Sequence, residues 1–170
     1  MILIALIFIA IVAFIVIHDT LKTRREKRNF HLLEIKESTR PGAGLGAFAT
    51  QDIPAGIDLG RYYGVIVNKE PEDPTYAWRV ESDHKDILGR PYHVERHIDA
   101  KSITENNPLR YVNSPVGKDE NWLINTGHKQ KGNARRGCMH YYTKRKIEKG
   151  EELFVDYGEK YRTWMESKLN

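Results

Sequence analysis

The stretch Gly150–Tyr161, GEELFVDYGEKY, alternates apolar and acidic residues and then stops on Asp156, Tyr157 and Gly158. An acid, a phenol and a glycine closing a strand can be a turn with a packed phenol, or the edge of a site. The other candidates for chemistry are sparse. There is no Gly-x-Ser-x-Gly elbow, phosphate-binding Walker loop or His-Glu-x-x-His pair. The run GAGLG carries Gly42, Gly44 and Gly46 but leads into AFAT instead of a helix, so a dinucleotide reading fails its context. His93 and His97 have a helical metal spacing, yet YHVERH alternates like a strand and predicts no ligand pair. Cys138 is the only cysteine, which excludes an internal disulfide and a cysteine-cluster zinc site.

Short extended segments separated by Gly/Pro turns must position these residues. HLLEIKES, AFAT, IDLGRYYGVIV, TYAWRVE, HVERHIDA, NWLINTG, GCMHYYTKRKI and EELFVDYG all read as strands. KSITENNPLRYVN reads as a loop with one helical turn, broken at Pro108. The tail EKYRTWMESKLN places Tyr161, Trp164, Met165 and Leu169 at helical spacing, which predicts a short amphipathic helix. Many short strands with little helix predict a mostly β fold of several small sheets.

The chain begins differently. Met1 to Ile17 contains no polar side chain. As a helix it reaches about 25 Å, and His18 to Leu21 extend it across a ~30 Å hydrocarbon layer. No basic residue precedes the run and no small-residue cleavage pattern follows it, so an uncleaved anchor is expected over a signal peptide. Lys22, Arg24, Arg25, Lys27 and Arg28 then predict the N-terminus outside and the domain in the cytosol. Between His18 and Asn29 these five basic residues against Asp19 and Glu26 leave +3 of the chain's +4. The rest is nearly neutral, and no nucleic-acid-binding face is expected. The expected division is an anchor at 1–21, a basic linker at 22–30 and a domain at 31–170.

Four blocks occur in a telling order: GAGLGAFATQDIPAGIDLGRYYGVIV, TYAWRV, HIDAKSITENNPLRYVN and YYTKRKIEKGEELFVDYGEKY. Together, from about Leu32 to Tyr161, they resemble the SET domain, the family of S-adenosylmethionine-dependent protein lysine methyltransferases. The look is nearest to the PR-type and compact viral-like members. As in PR-type members, the Asn-His-Ser-Cys stretch is absent: Asn113 is kept and Ser114-Pro115 follow it.

The resemblance implies a SET-type β fold with a short C-terminal helix, S-adenosylmethionine as cofactor, and no metal in the absence of the cysteine-rich flanks. It implies a lysine-containing protein substrate, a histone by default. It places the cofactor against the backbone of Ala43, Gly44, Leu45 and Gly46, against Tyr76, and against Arg110, Tyr111, Val112 and Asn113. Trp164, or else Tyr161, would cover the adenine. It assigns the lysine channel to Tyr62, Tyr141 and Tyr157, with Tyr63 and Tyr142 as the neighbours if the register is one residue off. The reaction has a physical need for such groups. Methyl transfer to an amine requires the neutral amine, although free lysine has a pKa of ~10.4. A narrow dry channel and a nearby positive sulfur depress that value. Phenol oxygens can then orient the lone pair without adding a nucleophile. The expected function is a membrane-anchored protein-lysine methyltransferase. The alternative is a tethered, non-catalytic SET-like interaction module.

Overall fold

Strand alternation and glycine turns produce three small antiparallel sheets and two helices in this computed structural model, which describes residues 2–26, 29–102, 107–115, 118–134 and 138–169. β1 (Leu33–Glu37) pairs with β2 (Leu45–Ala49). β3 (Asp58–Tyr62) pairs with β8 (Met139–Thr143), which pairs with β7 (Thr126–Gln130). β4 (Val65–Val67) and β5 (Ala77–Lys85) flank β6 (Pro91–Asp99). The core gathers Ala47, Leu59, Ile98 and Tyr141, drawn from all three sheets, with Leu109, Val112, Leu153 and Val155 from the segments between them. The tail forms α2 (Glu159–Leu169), as its spacing predicts.

Three expected strands come out differently. IDLGRYYGVIV is not one strand: it breaks at Tyr63-Gly64 into β3 and β4, which join different sheets. A Cβ on Gly64 would lie 2.7 Å from the carbonyl oxygen of Asp99, so the end of β6 presses directly on the bare backbone there. NWLINTG is a 3-10 turn (Lys118–Leu123) before β7 begins at Thr126. EELFVDYG forms only isolated bridges, Phe48 to Glu152 and Asn113 to Phe154. The reason is Asn125, fully buried, whose side chain takes the place of a neighbouring strand. Its Oδ1 accepts from the Phe154 amide at 2.8 Å and its Nδ2 donates to the Glu152 carbonyl at 2.8 Å.

α1 (Ile2–Glu26) follows the apolar run. Among the described residues no helix is long and apolar enough to cross a membrane, so the transmembrane helix expected over 1–21 is not shown. The described apolar side chains run from Ile7 to Leu21, about 22 Å of helix against a ~30 Å hydrocarbon layer. The side chains of residues 2–6 and of the whole basic block, 22–28, lie outside the described residues.

Candidate active site

Two turns and three strands bring the candidate tyrosines together. Tyr62 ends β3, where the break at Gly64 frees it from a longer ladder, and Tyr141 lies mid-strand in β8. Both point inward, at 3% and 0% exposure, whereas Tyr142 is at the surface and Tyr63 packs edge-on against Phe30. The Tyr62 and Tyr141 rings stack at 5.9 Å and 15°. Tyr157 joins them through Trp78 of β5. The indole meets Tyr157 edge-on at 5.6 Å and Tyr141 at 5.9 Å, and its Nε1 donates to the Tyr141 hydroxyl at 2.8 Å.

Two of the hydroxyl protons are committed. Tyr62 donates to the Tyr76 carbonyl at 2.8 Å, and Tyr157 donates to the Val112 carbonyl at 2.7 Å. Burial pushes all three phenols up from their ordinary range, so each keeps its proton at neutral pH. Tyr62 and Tyr157 therefore offer oxygen lone pairs, as acceptors, and none of the three is a base or a nucleophile.

Tyr62, Trp78 and Tyr157 line a cleft of roughly 660 Å³ between β5 and α2, with Tyr141 buried behind them and with His128, Tyr161 and Trp164 among its other walls. Tyr161 packs edge-on against Tyr157 at 4.7 Å, with Trp164 beyond it at 5.8 Å. α2 starts sharply because Asp156 accepts from the Gly158 amide at 2.7 Å and holds the Arg162 guanidinium. Lys160 crosses to Glu70 at 2.6 Å on the cleft's edge. His128 lies at the rim, its ring 4.1 Å from Trp78. Loss of water under that ring depresses its pKa, against the opposing charge of Asp156.

The second group gathers around the glycine loop. Gly44 has φ +70°, and a Cβ there would meet nothing within 4 Å, so the loop offers bare backbone to open space. That is the surface a nucleotide-like cofactor needs for close approach. Asn113 Nδ2 donates to the Leu45 carbonyl at 3.1 Å, which ties the loop to the segment after Val112. Val112 therefore joins the two groups: its carbonyl holds Tyr157, and its neighbour Asn113 holds the loop. Ala43 and Leu45 are exposed on that loop. Gly46 lies against the Glu152 carboxylate, which a Cβ would strike.

Arg110 is turned inward. Its guanidinium lies 4.2 Å from the Tyr76 ring and 4.8 Å from the Tyr111 ring, and it donates to the carbonyls of Ala100 and Lys101 at 3.2 Å. It braces the Tyr76 ring. Ser114, which follows Asn113 where the Asn-His-Ser-Cys stretch has histidine, accepts from the Tyr157 amide at 3.3 Å. His93 and His97 lie on β6, as their alternation predicts. His93 bonds Asp83 at 2.8 Å, and the nearby Glu81 is already paired with Arg79 at 2.7 Å.

Sequence reasoning missed Trp78, His128 and Glu152 as site residues. Trp78 left a signal, since it alternates with Tyr76 and Val80 in TYAWRV. His128 and Glu152 left none, because their neighbours come from distant strands.

Three comparisons bear on this geometry. A family model described as the PR domain of PR domain zinc finger protein 2 matches residues 33–168. The Caenorhabditis elegans protein named histone-lysine N-methyltransferase set-17 is 32% identical over 132 residues, which is 76% of this chain. The chain spans 42% of that protein's length. The solved methyltransferase domain of human PR domain-containing protein 2 superposes with a TM-score of 0.56 at 25% identity, covering 75% of this chain and 78% of that one. With the matched region running from β1 through α2, and the glycine loop, the tyrosine cluster and the tail helix all inside it, the chain belongs to the PR domain family, the PR-type branch of SET domains.

Proposed function

We propose that the chain is a protein-lysine N-methyltransferase that uses S-adenosylmethionine and takes a histone as its default substrate. The observation that carries this reading is one aromatic cluster, Tyr141 and Tyr157 packed on Trp78 with Tyr62 stacked on Tyr141, behind a cleft lined by Tyr62, Trp78 and Tyr157 and joined through Val112 and Asn113 to a bare glycine loop. The loop backbone at Gly44, with Asn113, Tyr76 and Trp164, would hold the cofactor. When bound, S-adenosylmethionine supplies an electrophilic methyl group and a positive charge beside the amine. The protein's own residues do the rest. The aromatic walls exclude water and favour the neutral amine over the ammonium. The Tyr62 and Tyr157 oxygens, their protons committed to carbonyls, accept N–H bonds from that amine and aim its lone pair. Alignment of this kind accounts for most of the acceleration expected here.

The test uses the full chain in detergent with labelled S-adenosylmethionine and purified core histones. Label should appear on histone lysine. Cofactor binding without transfer to histones or to a cytosolic extract would leave the non-catalytic interaction module.

We also propose that α1 tethers the domain at residues 31–170 to a membrane, with the N-terminus outside and the domain in the cytosol. What supports this is apolar surface on every side of the helix: Ile7, Phe8, Ile9, Phe14 and Ile17 are each more than half exposed. A helix that is apolar all round calls for a core or a bilayer. In expressing cells the full chain should resist a carbonate wash of the membranes, while a chain starting at residue 29 should be released. Protease added outside intact cells should spare the domain; digestion would reverse the orientation.

A further inference from the structure

A buried carboxylate with four hydrogen-bond donors lies outside the cleft. Glu152 is 4% exposed and sits where three segments meet: the end of β1, the residue after Val112 and the bridge to β2. Its Oε1 accepts from Ser38 Oγ at 2.7 Å and from Asn113 Nδ2 at 3.1 Å. Its Oε2 accepts from the Thr39 amide at 2.8 Å and from Thr39 Oγ1 at 2.5 Å. A carboxylate that has left water needs such donors, and all four are neutral groups. They are not scattered. Ser38 and Thr39 open the loop that carries Gly42 and Gly44 and leads to Gly46 in β2, and the Ser38 amide closes the loop by donating to the Gly44 carbonyl at 2.8 Å. Asn113 Nδ2 also reaches Ser38 Oγ at 3.2 Å and the Leu45 carbonyl.

Gly46 completes the arrangement. A Cβ there would lie 2.2 Å from Glu152 Oε1, so the absence of a side chain is what lets the carboxylate reach under the loop. The carboxylate and Asn113 thus clamp both ends of the glycine loop.

We infer that Glu152 is a positioning residue for the cofactor: acting through Ser38, Thr39 and Asn113, it holds the glycine loop in the shape that receives S-adenosylmethionine. This rests on the methyltransferase reading above. An acceptor-only carboxylate is required at this position. In Glu152→Gln an amide NH2 must face either the Thr39 donors or the Ser38–Asn113 pair, so donors oppose donors and one end of the loop is released.

The test measures cofactor affinity by calorimetry on the full chain in detergent, alongside steady-state kinetics. Glu152→Gln should weaken S-adenosylmethionine binding and raise its KM tenfold or more, while kcat at saturating cofactor stays within about threefold. Thr39→Val, which removes one of the four donors and leaves the charge in place, should shift KM in the same direction by a smaller factor. A purely structural role would behave differently. It would reduce the folded fraction, lowering apparent kcat and leaving KM and the dissociation constant of the folded molecules unchanged. That pattern, or wild-type affinity in Glu152→Gln, overturns the inference. Absence of S-adenosylmethionine binding by the wild-type chain would instead overturn the function proposed above, and this inference with it.

Discussion

Tyr157→Phe should fold and bind S-adenosylmethionine, yet transfer methyl groups at least about a hundredfold more slowly than wild type. The ring stays, and with it the edge contacts to Trp78 and Tyr161. The cost to the fold is the bond to the Val112 carbonyl, roughly 1–2 kcal/mol when a buried acceptor loses its donor. That leaves a folded domain under ordinary conditions. The cost to the proposed reaction is larger, because that reading makes the lost oxygen one of two cleft acceptors for the amine. Removing one preorganised polar group from an active site typically costs about 10²–10³ in kcat. Tyr142→Phe is the internal control: that ring lies at the surface over Gly127, and its rate should match wild type. Single-turnover transfer at saturating cofactor isolates the chemical step. A rate for Tyr157→Phe within threefold of wild type would remove Tyr157 from the reaction.

What was readable in the sequence depended on how local its cause was. Tyr157 was readable because Asp-Tyr-Gly closes a short block whose order with the other blocks is distinctive. Tyr141 could not be told from Tyr142, because alternation gives one inward residue of the two but not which. The register of β8 against β3 and β7 settles that. The break between β3 and β4 was invisible, since its cause is the Asp99 carbonyl thirty-five positions away, pressing on Gly64. The expected last strand failed for a similar reason: Asn125 bonds the backbone that a neighbouring strand would have bonded. Glu152 read only as one acid of the expected strand EELFVDYG. Its burial comes from Ser38, Thr39 and Asn113, which no local pattern connects to it. Arg110, expected to help line the cofactor site, lies against Tyr76 and gives donors to the carbonyls of Ala100 and Lys101, contacts that no local pattern announces.

Replacing Trp78 should cost both the fold and the reaction, in separable amounts. Trp78→Ala removes the indole that packs against Tyr141, Tyr157 and His128. Losses of about 3–5 kcal/mol attend truncation of a buried tryptophan, and this half-buried one should lie near the lower figure. A shift of about 3 kcal/mol corresponds to roughly 6–12 °C in Tm for a domain of this size, readable by calorimetry. Trp78→Phe is the more telling change. It keeps an aromatic wall but deletes the Nε1–H bond to Tyr141, whose hydroxyl is fully buried. The orphaned oxygen should cost roughly 1–3 kcal/mol. It should also loosen the cluster that fixes Tyr157, so methyl transfer slows even where the protein remains folded. The double variant Trp78→Phe, Tyr157→Phe decides whether the cluster works as a unit. If Trp78 acts on the reaction by holding Tyr157, the double variant should be about as slow as Tyr157→Phe alone, because residues acting through one another are not additive. Rate losses that multiply would show that the indole contributes to the cleft independently of the phenol beside it.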